Sequence, residues 1–224
     1  MWVPNSNLQI TDIKNKIMCD FMYPTASQKE WQGSAISGGQ ILSAVASVGH
    51  PGVSSFNSVA TADSGYRMTT ATTVFLLSGS EKTTTIFKTP VTFTGTTTRI
   101  GFLDNISSAA PTDGCYFNLI ENILTGNTSR AGANSVTNTT FTLAADTWYR
   151  FVIELNSDAT AVTFTLYGDD SDVVLFQATL TTNVPVGAGK HTGQGIVSTN
   201  SGTTAVLLGT LDYMDFVILK ARRV

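Results

Sequence analysis

The chain has 224 residues, a formal net charge of −3 and only 13% charged side chains, about half the usual share of roughly 25%. It is long enough to bury a sizeable core as one all-β domain. There is no basic stripe to grip phosphates, which disfavours nucleic acid, and no apolar run approaches the roughly 20 residues of a membrane helix.

The N-terminal stretch MWVPNSNLQI lacks the charged and apolar regions of a secretory leader. The expectation is a protein kept in the cytoplasm that made it, or released by another route such as lysis. Residues 1–15 read as an arm reaching a neighbour or as a loosely ordered terminus. Apolar residues then recur at spacing two and not at three and four, which is the period of strands. Strands are expected over 16–23, 40–47, 65–70, 73–77, 84–88, 98–103, 115–121 and 136–143. The segment up to about Ser58 is less regular and should add edge strands to the same domain. The clearest pair is TWYRFVIELNSDATAVTFTLYG, residues 147–168. In it Tyr149, Phe151, Ile153 and Leu155 alternate with Trp148, Arg150, Val152 and Glu154, and Val162, Phe164 and Leu166 repeat the pattern after a turn. That is a hairpin with one buried face, turned by Asn156, Ser157 and Asp158, whose short side chains satisfy local backbone groups. Strands over 173–180, 194–198 and 204–220 follow, the last expected to break near Gly209. Many strands separated by Gly, Pro, Asn and Asp predict a two-sheet antiparallel sandwich, a jelly roll, over residues 1–224. No fixed-period repeat points to a solenoid or propeller.

The two cysteines, Cys19 and Cys115, both lie in apolar segments and read as buried thiols; a disulfide between them is not legible from sequence. Neither zinc spacing nor a disulfide framework is present.

Several motifs carry a family resemblance when taken in order: RIGFLD at 99–104, PTDGCYFNLIEN at 111–122, the Trp-Tyr-Arg strand at 148–150, TNVPV at 182–186 and LLGTLDYMDF at 207–216. The region from about Gly65 to Lys220 resembles the concanavalin A-like (laminin G-like) jelly-roll sandwich, and within it the modules encoded among bacteriophage virion structural genes. The resemblance implies a non-enzymatic virion structural protein, a capsid decoration or a head or tail fibre module. Its partners would be other virion proteins and a host-surface glycan, and it would be a homo-oligomer, trimeric as in such appendages. A free carbohydrate-binding or carbohydrate-cleaving domain is the alternative, because this fold hosts both.

The resemblance also implies where a glycanase would keep its acids, as Glu-x-Asp-x-x-Glu on one strand. The four glutamates, Glu30, Glu81, Glu121 and Glu154, lie far apart in sequence, so that motif is missing. On a regular strand Asp212 and Asp215 would fall on opposite faces. Both histidines, His50 and His191, sit in Gly/Pro-rich stretches and read as exposed loop residues. Aromatic rings beside polar groups hold sugars, and Trp31, Tyr116 and Tyr167 are the candidates. Trp148 opens a strand and reads as core or rim. Asp169, Asp170 and Asp172 in GDDSD could offer oxygens to calcium or form a plain solvated turn; no other cofactor is expected. Asp113-Gly114 reads as a turn.

Overall fold

A computed structural model describes residues 15–20, 32–43, 49–50, 53–70, 75–169 and 171–218. Among the described residues seventeen strands follow one another: β1 (Asn15–Asp20), β2 (Gln32–Ile36), β3 (Gln40–Ser43), β4 (Ser54–Asn57), β5 (Ser64–Thr69) and β6 (Phe75–Leu76). Next come β7 (Glu81–Lys88), β8 (Thr96–Leu103), β9 (Gly114–Ile120), β10 (Ile123–Arg130), β11 (Ala133–Val136) and β12 (Phe141–Thr142). The chain closes with β13 (Trp148–Leu155), β14 (Val162–Gly168), β15 (Val174–Leu180), β16 (His191–Asn200) and β17 (Leu207–Ile218). There is no helix among the described residues.

The strands form two antiparallel sheets. One has the order β15-β14-β13-β7-β17-β4-β3, with β1 also against β17; the other runs β11-β10-β9-β8-β16-β5-β2, with β12 beside β10 and β6 beside β16. The 147–168 hairpin folds as expected, Leu155 opposite Val162 and Tyr149 opposite Gly168. Its turn is held by Asn156, whose Oδ1 accepts the amides of Thr160 and Ala161 at 2.8 and 3.0 Å. The alternating residues meet in a core shared by both sheets. Phe117 of one sheet packs edge-on against Phe151 and Phe164 of the other, ring centroids 5.3 Å apart in both cases. Phe102 meets Phe216 in the same way at 5.6 Å. Such pairs contribute beyond their buried area. Cys115 is a free, fully buried thiol in this core, and burial raises its pKa well above the ordinary value.

Several expectations need adjusting. The segment 136–143 is not one strand: β11 ends at Val136 and β12 is a separate two-residue strand. The final strand does not break at Gly209 but bulges there and again before Tyr213. Strand β10 escaped the pattern because ILTGNTSR has too few apolar residues. Besides Leu124, which is fully buried in the core, an inward position is Gly126, where an added Cβ would sit 2.6 Å from the Phe164 ring. Asp113 is not a turn residue either. It clasps the amide of Ala131 at 2.7 Å and the Lys190 ammonium at 3.2 Å, and Gly114 already belongs to β9. Residues 1–14 of the expected 1–15 arm, Trp31 and Asp170 lie outside the described residues, and Asn15 already opens β1.

Candidate functional site

A group of chemically capable side chains stands on the outer face of the eight-stranded sheet. Alternation on β13 sends Tyr149 and Phe151 inward and Trp148 and Arg150 outward. Register places Arg150 opposite Tyr167 of β14 and opposite Ile86 of β7. The Arg150 guanidinium lies over the Tyr167 ring, 4.4 Å from its centroid, a cation–π contact. It also donates to Asp172 Oδ1 at 2.7 Å.

His50 lies beside this row and is only 5% exposed, which overturns the expectation of an exposed loop histidine; His191 is the exposed one. The His50 ring stacks on Trp148, centroids 3.8 Å apart and planes 14° from parallel. Its Nδ1 is 2.7 Å from Asp212 Oδ2 and its Nε2 is 2.8 Å from Asp169 Oδ2. A neutral imidazole has one donor and one acceptor. Two carboxylate contacts are therefore both satisfied only when the group of three carries one proton more than two carboxylates and a neutral ring. The imidazole ties the segment at 50, the end of β14 and β17 into one unit.

Asp212 reaches His50 because of the bulge: Leu211 pairs with Phe87 and Tyr213 with Ile86, leaving Asp212 as the extra residue. The regular-strand argument for Asp212 and Asp215 therefore does not apply. Asp215 is engaged separately, accepting the Thr84 amide at 3.0 Å and the Tyr213 hydroxyl at 3.0 Å. No sequence signal marks the bulge, so sequence reasoning missed Asp212, Asp169 and Trp148 as neighbours of His50.

The structure thus gathers Tyr167, Asp169 and Asp172 of the candidate residues. It directs the two aspartates to different partners, Asp169 to His50 and Asp172 to Arg150. Among the described residues no three His, Cys, Asp or Glu side chains are grouped to hold a metal. Tyr116 is elsewhere, on the outer face of the other sheet. At 2% exposure it packs with Leu103 and Val197 and is not an open sugar platform. Glu121 is a turn residue between β9 and β10, with φ of 52°.

Two antiparallel sheets in this order, with an aromatic and polar outer face, define a concanavalin A-like jelly roll, the architecture of the legume lectins. The chain belongs to the SO2946-like, C-terminal domain family, whose model matches residues 49–212. It is similar in structure to a protein of unknown function, SO2946 from Shewanella oneidensis MR-1: TM-score 0.77, 21% identity, 93% of this chain and 89% of that one covered. It is also similar to the winged bean acidic lectin complexed with methyl-α-D-galactose (TM-score 0.59, 12% identity, 90% and 98% covered). A glycosyl hydrolase family protein from Mycobacterium fortuitum aligns with TM-score 0.54, 12% identity and 89% and 98% coverage. No curated protein matches in sequence.

Proposed function

We propose that this chain is a non-enzymatic carbohydrate-binding sandwich whose glycan surface is the outer face of the eight-stranded sheet, centred on Trp148 and Tyr167. The observation that carries the reading is the pair of half-buried rings, each held by a partner: Trp148 under His50 and Tyr167 under Arg150. Each ring stays partly exposed, and a ring already held in place loses little freedom when a sugar packs against its exposed part, which lowers the entropic penalty of binding. Lectin-like neighbours of the same architecture support the class. The non-enzymatic part rests on the acids. Glycoside hydrolysis needs two carboxyl groups free to face one glycosidic bond, whereas Asp169 and Asp212 are both taken up by one buried imidazole.

The finer reading is that the module is carried on a virion as a decoration or fibre part, in trimeric form. It is supported by the order of the sequence motifs and by a surface that is polar but poorly charged.

The test is binding to an array of bacterial surface polysaccharides and simple glycans. Saturable binding is expected, weakened at least ten-fold by Trp148→Ala and by Tyr167→Ala. Release of reducing ends from any bound polysaccharide would overturn the non-enzymatic reading. Equal binding by both variants would remove this face from consideration.

A further inference from the structure

The opposite outer face, on the nine-stranded sheet, holds two cations with no acidic partner among the described residues. Arg67 on β5 and Arg99 on β8 are both register partners of Val197 on the strand between them. They therefore stand in one row, about 10 Å apart at Cα from two strand spacings. The row continues through Asn118, opposite Arg99, and Ser34, opposite Arg67. Both arginines are partly buried, and neither forms an ion pair with an acidic residue among those described.

The connection from β8 to β9 folds over this row. Ile106 packs against Leu103, Tyr116 and Val197. Arg67 Nη1 donates to the Ile106 carbonyl at 3.0 Å. Arg99 Nη1 donates to the carbonyls of Ser108 and Ala109 at 2.9 and 3.2 Å. These are partial charges facing full ones. They occupy one nitrogen of Arg99, whereas Arg67 uses two, its Nη2 donating to Ser34 Oγ at 3.4 Å. The other side of Arg99 is unmet: its Nε is buried with no hydrogen-bond partner, and so is Oδ1 of the neighbouring Asn118. A buried polar atom without a partner is costly and is rare in a folded protein. Desolvation lowers the Arg99 pKa, in keeping with a cation short of a counter-charge.

The two orphan atoms are of opposite type and specify a ligand. The Nε/Nη2 edge of a guanidinium matches a carboxylate with two parallel hydrogen bonds. A carbonyl oxygen such as Asn118 Oδ1 accepts a hydroxyl. A group that offers a carboxylate and, a few ångströms away, a hydroxyl is a uronic acid. We propose that the Arg67–Arg99–Asn118 row is a binding site for a uronic acid residue of an acidic glycan, distinct from the Trp148–Tyr167 face. The carboxylate takes the free edge of Arg99, Arg67 supplies the second positive charge, and a ring hydroxyl donates to Asn118.

The experiment is calorimetric titration with a galacturonic acid trimer, beside a galactose trimer of the same length and malonate as a charge without a ring. Binding of the acidic trimer is expected, at least ten-fold tighter than the neutral one at low salt and not displaced by equimolar malonate. Arg99→Gln should reduce it ten-fold or more. Because Arg99 also holds the 104–113 connection, Asn118→Asp is the second variant. It sets a carboxylate opposite Arg99, so the protein should melt at the same or a higher temperature while binding of the acidic trimer is lost. Trp148→Ala should leave this binding unchanged, which separates it from glycan binding on the other face. Equal affinity for acidic and neutral trimers, or a folded Asn118→Asp protein that binds as well as the parent, would overturn the proposal. Displacement by malonate would reduce the site to a simple anion site and overturn the uronic acid assignment.

Discussion

At the scale of single residues, His50 carries the sharpest consequence. Removing the imidazole takes a partner from both Asp169 and Asp212, whose side chains are only 13% and 11% exposed. Taking one partner from a buried charge cluster typically destabilises by about 3 kcal/mol or more. His50→Ala should lower stability by about that amount in urea unfolding. Asp172→Asn should leave stability unchanged, since Asp172 is 94% exposed and its contact with Arg150 is screened. If the two variants unfold together, the His50 cluster does not tie these segments together. His50 was illegible in the sequence for a definite reason. GHPG reads as a loop, and the partners that bury the ring lie at 169 and 212, far away in sequence and one of them set by a bulge.

Asp104 gives a residue-scale test in pH. Burial raises its pKa, an effect only partly offset by the amides of Asp113 and Thr112. A carboxyl whose folded-state pKa is raised favours the protonated form in the fold. Its contribution is fully present below the ordinary aspartate pKa of about 4 and is lost as the pH rises through the higher folded value. Asp104→Asn keeps an oxygen for the Thr112 amide, which Asp104 Oδ1 accepts at 2.9 Å, and has no charge to desolvate. The melting temperatures of variant and parent should agree near pH 3, and the variant should pull ahead above about pH 4. A constant gap at every pH would show that ionisation of Asp104 plays no part.

Among the elements, β17 shows best what the sequence pattern did and did not reveal. Its apolar alternation announced a long strand, and the strand exists over Leu207–Ile218. Gly209, near its start, reads in the sequence as a break because glycine is a poor strand residue. Instead Gly209 has φ of 132°, and a Cβ there would run into the Phe87 ring. The glycine lets the strand bulge while it stays paired to β4 and β7. Gly209→Ala should destabilise by about 2 kcal/mol or more, from backbone strain plus overpacking, read as a drop in the urea midpoint. An unchanged midpoint would mean the bulge relaxes freely. The same limit hid β10 and β2, whose inward positions are small or few. Alternation finds strands that fill the core with large side chains and passes over those that receive a neighbour's ring.

For the whole molecule, the fold class was legible because one physical signal, period-two burial, repeats along most of the chain and needs no knowledge of distant contacts. Function was not, because both candidate surfaces are built across strands that are remote in sequence: Trp148 with His50, and Arg67 with Arg99. The rows that matter run perpendicular to the chain, and register alone assembles them. The core binds the two faces into one cooperative unit through phenylalanines that cross between sheets. Phe117 is central, fully buried and in contact with Phe151 and Phe164 of the other sheet. Phe117→Ala should cost about 3–5 kcal/mol, and the loss should be shared by both sheets, not confined to one. Far-UV circular dichroism and tryptophan fluorescence should therefore shift together, as a single transition, in parent and variant alike. Two separated transitions would show that the sheets unfold independently. In that event the glycan face around Trp148 could be lost while the arginine row persists, and the two proposed sites would have to be tested on separately stable halves.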